Sequence, residues 1–184
     1  AIVSASLIVS SLLSEPSNFN VYSTYHVYLT QLLAPLLGNF GSAFMAPQLP
    51  LTIMQLIGFY FLGRELYHSR LFGFLLTILS FIFVQINLSE FWGYVTSPIP
   101  RFSFQAFLPL VLLLVLKNGS NVKRWPFLLA LSAATVYLHL VSAPAWSVGI
   151  LLSLWFMPPR ATPISDKLKY MMIALFVFIL VLSP

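Results

Sequence analysis

Uncharged, mainly apolar blocks alternate along this chain with short charged or polar breaks, and the lengths of the blocks predict helices. Crossing a hydrocarbon core of about 30 Å takes about 20 helical residues. Leu71–Ser89 is 19 residues without a charge and predicts one full span. Ser42–Leu62 predicts another, with Pro47 and Pro50 near its start. Phe102–Leu116 is shorter and is bounded by Arg101 and Lys117, whose long side chains can snorkel outward. Trp125–Met157 is too long for one pass and divides near His139–Pro144 into Trp125–Leu138 and Ala145–Met157. The runs at the two ends, Ala1–Leu13 and Tyr170–Pro184, are each shorter than a span. The expectation is an all-α, polytopic transmembrane bundle of about seven spans. It is read as one transmembrane domain over 1–184 and as a piece of a longer protein cut at both ends. The first run is not read as a signal peptide, because no basic segment precedes it and no A-x-A site follows.

Residues 16–63 carry no charge, yet 16–24 are rich in Ser, Asn and Tyr. Val21–Gly38 fits two placements. It can span, which leaves Glu15 in an inner loop without Lys or Arg. It can also lie along the outer interface, with its tyrosines and His26 toward headgroups and its leucines among acyl chains. The interfacial placement keeps Glu15 and its polar neighbours outside and is preferred.

Composition changes the picture by exclusion. Of 184 residues, 59% are hydrophobic and 7% charged, with a mean hydropathy of +0.93. Soluble domains carry about 25% charged residues, so 4 acids and 9 bases cannot cover a water-facing surface of this size. The pI near 9.7 raises the question of nucleic acid, but the bases are too sparse for a phosphate-binding face, so no nucleic-acid partner is expected. The absence of cysteine excludes disulfides and thiolate chemistry, and three dispersed histidines, at 26, 68 and 139, have no zinc-site spacing.

The bases orient the stack. The breaks Arg64–Arg70, Lys117–Arg124 and Pro158–Lys169 hold eight of the nine Lys and Arg residues, whereas Glu90–Arg101 and His139–Pro144 hold only Arg101. The positive-inside rule places the first three in the cytoplasm and the other two outside. Trp92 and Tyr94 then fall at the outer aromatic belt, and Trp125 and Trp155 at the inner one. No predicted span carries Asp, Glu, Lys or Arg in its middle third, and no internal repeat is evident. Both features argue against an ion-coupled transporter.

Candidate chemistry collects on the outer side: Glu15, His26, Glu90, Trp92, Tyr94, Arg101 and His139. Each has a plain explanation as a capping, belt or turn residue. Taken together they suit group transfer at a membrane surface. A carboxylate there can take the proton of an attacking hydroxyl. Arg101, the only outer base, can hold a phosphate through its planar fork. Aromatic faces suit a sugar ring or a prenyl chain. The inner turn GRELYHSR and the Lys117–Arg124 loop read as topogenic, in contact with anionic lipid at most.

The order of these features resembles the membrane-embedded GT-C glycosyltransferases of the mannosyl- and arabinosyltransferase kind. The resemblance rests on the interfacial stretch YHVYLTQLLAPLLG and on YFLGRELYHSRLFGFLLTILS. PRFSFQAFLPLVLLLVLK and VYLHLVSAPAWSVGILLSLW extend it over most of the chain. It implies a multi-pass protein of a cell membrane, the bacterial inner membrane above all, that moves a sugar from a polyprenyl-phosphate donor to an acceptor on the outer face. Membrane lipids and the polyprenyl-phosphate sugar are the implied partners. The family's acid lies in the first outer loop, which leaves Glu15 as its counterpart, although SEPSN holds one glutamate where the family has an aspartate or an acidic pair. Arg101, Glu90, Trp92, Tyr94, His139 and His26 are the expected substrate contacts on the chemical grounds above, with no family motif behind them. No cofactor is expected; a divalent cation beside Glu15 suits the chemistry, but a single carboxylate is a poor site for one. The competing expectations are a lipid or sugar flippase or transporter, and a non-catalytic membrane subunit.

The orientation has a direct check, because the chain has no cysteine of its own. Ser120→Cys is expected to resist impermeant thiol reagents in intact cells and to react once the membrane is opened. Labelling from outside would reverse the topology.

Overall fold

The computed structural model describes residues 25–82, 84–86, 89–92, 100–139, 142–159 and 161–183. They form a helical bundle with one short pair of strands. The first helix, α1 (Tyr25–Leu37), ends at Gly38, whose φ of 77° is the left-handed value that closes a helix. Asn39 then caps α2 (Phe40–Met45), its side-chain oxygen accepting the Ser42 N–H at 2.7 Å. A break at Ala46–Pro47 separates α2 from α3 (Gln48–Tyr67). The turn expected at Arg64–Arg70 is shorter than the sequence suggests. Helix α3 runs to Tyr67, and only His68 and Ser69 separate it from α4 (Arg70–Leu79).

Helix α4 stops ten residues short of the span expected to reach Ser89. At 10 residues it is about 15 Å long, half a hydrocarbon core. The chain then turns and enters β1 (Val84–Ile86), which pairs antiparallel with β2 (Ser89–Trp92). Aromatic and β-branched residues fill the run from Phe81 to Ile86, and these favour extended backbone. The last turn of α4 is also tied off: the Ser80 hydroxyl donates to Thr77 O, and Gln55 Nε2 of α3 donates to Ser80 O at 3.3 Å.

The remaining helices follow the expected divisions. They are α5 (Pro100–Asn118), α6 (Trp125–Ala134), α7 (Ala143–Phe156) and α8 (Ile164–Leu182). A 3-10 turn over Thr135–Tyr137 extends α6, and the break between α6 and α7 falls where the sequence placed it. Among the described residues, two helical stretches, Phe40–Tyr67 and Arg101–Asn118, are long and apolar enough to cross a membrane. Helix α8 has comparable length but carries Asp166, Lys167 and Lys169 in its first two turns. Helix α7, at 14 residues, is about 21 Å long. Among the described residues, two candidate spans and several shorter apolar helices thus stand beside the expectation of about seven full spans.

Packing fixes the directions. Leu51 packs with Phe102 and Ala106, and Glu65 pairs with Lys117 at 3.5 Å, so α3 and α5 run parallel. Gln55 meets Ser80 and Gly63 meets Phe72 and Gly73, so α4 runs back along α3. The Ser132 hydroxyl donates to the Ser147 Oγ at 2.8 Å across the antiparallel pair α6–α7. Tyr137 donates to Val181 O at 2.8 Å beside the end of α8. The core around Trp125, Leu128, Leu129, Ile150, Leu154 and Ala174 lies toward one end of this second group of helices. Trp125 is a correction to the aromatic-belt expectation: it is wholly buried, and its indole N–H donates to Gly119 O at 2.8 Å. It is a pillar of the core, with its one polar atom satisfied.

The helices approach most closely where side chains are smallest. A Cβ on Gly73 would stand 2.7 Å from Tyr60 O, and one on Gly63 2.8 Å from Phe72 O. Both obstacles are backbone, which cannot rotate away. Gly149 on α7 has nothing within 4 Å of the same position. Alanine is the better helix former by about 1 kcal/mol, so the two sites separate propensity from packing. Gly149→Ala is expected to hold or raise the melting temperature in detergent, and Gly73→Ala to lower it by several degrees through overpacking of about 1–3 kcal/mol. A rise at both sites would show that α3 and α4 do not touch as described.

Candidate functional site

The two ends of the bundle differ in charge. Arg64, Glu65, Arg70, Lys117, Lys123 and Arg124 lie at the end where α3 and α5 finish, and Met157 meets Gly119 there. Arg101 and His139 lie at the opposite end. This agrees with the alternation read from the loops. Of the expected outer residues, these two lie near enough for the charge of Arg101 to act on the His139 ring.

Arg101 stands in the first turn of α5. His139 follows the 3-10 turn that ends α6, and its environment is built from backbone. Its N–H donates to Thr135 O at 3.2 Å, and its carbonyl accepts the Ala143 N–H at 3.1 Å. Its ring Nδ1 accepts the Ser142 N–H at 3.1 Å, and its ring lies 6.3 Å from that of Phe104, centre to centre. Burial, and then the charge of Arg101, push the His139 pKa below its ordinary 6.5. The ring is therefore neutral near pH 7. With Nδ1 engaged as an acceptor, its proton sits on Nε2. This end of the bundle thus holds a guanidinium and an imidazole N–H, both of them donor groups. In this tautomer His139 can donate through Nε2, while its Nδ1 is occupied by the Ser142 N–H.

Two further polar groups escaped the sequence reading, which weighed only charged residues inside helices. Gln55 on α3 is 1% exposed and Gln105 on α5 is 4% exposed. Each keeps its Oε1 without a hydrogen-bond partner among the described residues. Gln105 lies one helical turn below Arg101 on the same face of α5. A glutamine inside LTIMQLIGFY or RFSFQAFLPL was a legible signal, since an amide in an apolar helix has to find partners.

The other expected residues are not assembled by the described structure. Glu90 and Trp92 lie on β2, where Glu90 is in register with Gln85 and Trp92 with Val84. His26 lies in the first turn of α1. Glu15 and Tyr94 fall outside the described residues. Among the described residues, no group of three His, Asp or Glu is placed to hold a metal ion. No protein-family model, curated protein sequence or solved structure matches this chain.

The depressed pKa of His139 links stability to pH with a definite sign. The fold favours the neutral ring more than the unfolded chain does, so this contribution is complete above pH 6.5. It is lost as pH falls from there through the lower folded value. Thermal melts of the wild type and His139→Gln in one detergent should therefore run parallel above pH 6.5, with the wild type losing ground below it. Parallel curves down to about pH 5 would show that the ring is freely protonated in the fold.

Proposed function

We propose that this chain is part of a multi-pass membrane glycosyltransferase that takes a sugar from a polyprenyl-phosphate donor and transfers it to an acceptor at the outer face. The observation that carries the reading is the placement of Arg101 and His139 at the same end of the bundle, opposite the basic turns, near enough for the charge of one to act on the other. An always-charged planar fork and an imidazole N–H fit the oxygens of a phosphate leaving group. The apolar lengths of Phe40–Tyr67 and Arg101–Asn118 fit a membrane setting in which a prenyl donor is delivered. The resemblance of the helix order to the GT-C superfamily supports the same class.

In this reading the acceptor hydroxyl oxygen attacks the anomeric carbon from the face opposite the phosphate. The Glu15 carboxylate takes the hydroxyl proton as the new C–O bond forms. The bond from the anomeric carbon to the phosphate oxygen breaks, and polyprenyl phosphate leaves with its negative charge held by Arg101 and His139 Nε2–H. The configuration at the anomeric carbon inverts. Trp92 and Tyr94 supply aromatic surface for the sugar or the prenyl chain, with Glu90 and His26 as polar contacts at the same water boundary.

The test is transfer from polyprenyl-phosphate sugars in membranes that contain the complete protein. Glu15→Gln should lower kcat by about a hundredfold or more while expression persists. Arg101→Gln should raise the donor KM by about tenfold or more, because it removes a charge-assisted pair. Full activity in Glu15→Gln removes Glu15 from the mechanism. Tolerance of substitutions at Glu15, Glu90 and Arg101 together, with co-purification of a fixed partner, would establish a non-catalytic membrane subunit instead.

A further inference from the structure

The basic end holds a cleft that the topogenic reading of GRELYHSR does not explain. Its volume is about 340 Å³, and it is lined by Phe61, Arg64, Glu65 and His68 of α3 and its C-terminal turn, and by Lys117 of α5. Lys117 Nζ is held 3.5 Å from Glu65 Oε2. That pair leaves the Arg64 guanidinium as an unneutralised charge, since it makes no hydrogen bond or ion pair among the described residues. His68 takes the left-handed conformation, with φ 51°, in the two-residue turn that brings it to the cleft.

The surface leading to the cleft is apolar and regular. Ile53, Ile57 and Phe61 recur every four residues on α3 and are each 42–47% exposed. They form one stripe, about 12 Å long, that ends at Arg64 and His68. An apolar stripe that ends in cations at the boundary of a candidate span matches an amphiphile: a hydrocarbon chain below and an anionic head above. We infer that this cleft binds the phosphate of an anionic membrane phospholipid, with an acyl chain along Ile53, Ile57 and Phe61. Arg64 supplies the uncompensated charge, and Lys117, held by Glu65, and His68 complete the wall. The C-terminal ends of α3 and α5 present the negative pole of their dipoles here, so binding rests on the side-chain cations. The inference does not use the transferase chemistry; it requires only that α3 and α5 lie in a membrane.

The experiment is native mass spectrometry of the complete protein in detergent, titrated with phosphatidylglycerol and with phosphatidylcholine of the same acyl chains. The wild type should retain one phosphatidylglycerol in preference to phosphatidylcholine. Arg64→Gln, which loses no partner among the described residues, should cut that preference about fivefold, and Arg64→Gln with Lys117→Gln should abolish it. Lys167→Gln with Lys169→Gln makes the same change in net charge elsewhere and should leave the preference intact. Equal losses in the two double variants, or an unchanged preference in Arg64→Gln, would overturn the site. Millimolar inorganic phosphate should fail to displace the lipid; displacement would make free phosphate the occupant and overturn the lipid assignment.

Discussion

Close approach at three glycines, backbone to backbone at two of them, holds the first half of the bundle in register. Gly63 and Gly73 let α3 and α4 approach until a single methyl would collide with a carbonyl, and Gly58 receives the ring of Pro109 from α5. Lipid is as apolar as leucine, so helices in it gain little from hiding apolar side chains from one another. Close approach and interhelical hydrogen bonds have to supply the attraction. The glycines provide the first and position the second, since the register they set brings Gln55 Nε2 to Ser80 O and Thr77 Oγ1 within 3.5 Å of Leu56 O. The same register carries Lys117 to Glu65 at one end and leaves Arg101 at the other.

The second half solves the problem with hydroxyls and one tryptophan. Ser132 and Ser147 are buried and bonded to each other across α6 and α7, and Ser147 also donates to Ala143 O. Trp125 fills the base of this group and satisfies its only polar atom on the Gly119 carbonyl. Outward from these contacts the surface is apolar: Leu71, Phe74 and Ile78 on α4, and Phe176, Ile179 and Leu180 on α8, are exposed. Exposed apolar residues in this number on successive turns of a helix mark faces that meet something other than water.

Charge is separated along the bundle, and this gives its two ends different chemistry. The basic end gathers most of the cations of the described residues around short turns. The other end holds Arg101 with a neutral His139, both of them donor groups. The tautomer follows from a backbone contact, the Ser142 N–H on Nδ1, and the loop between α6 and α7 therefore decides what His139 can do chemically.

The chain's own pattern determined the helical class, the break between α6 and α7, the start and end of α5, and the alternation of basic and non-basic ends. These follow from apolar run length and from where lysine and arginine can reach water, which are properties of each segment alone. Only the tertiary structure decided where α4 stops, because Leu71–Ser89 is uniformly uncharged, and its break depends on Gln55 reaching across from another helix and on the strand pairing that follows. It also decided that Trp125 is buried, since an indole beside a basic loop looks the same in sequence whether it faces headgroups or the Gly119 carbonyl. The nearness of Arg101 to His139, and of Arg64 to Lys117, was out of reach for the same reason. Each pair joins residues dozens of positions apart, and their proximity is set by helix register, which hydropathy does not record.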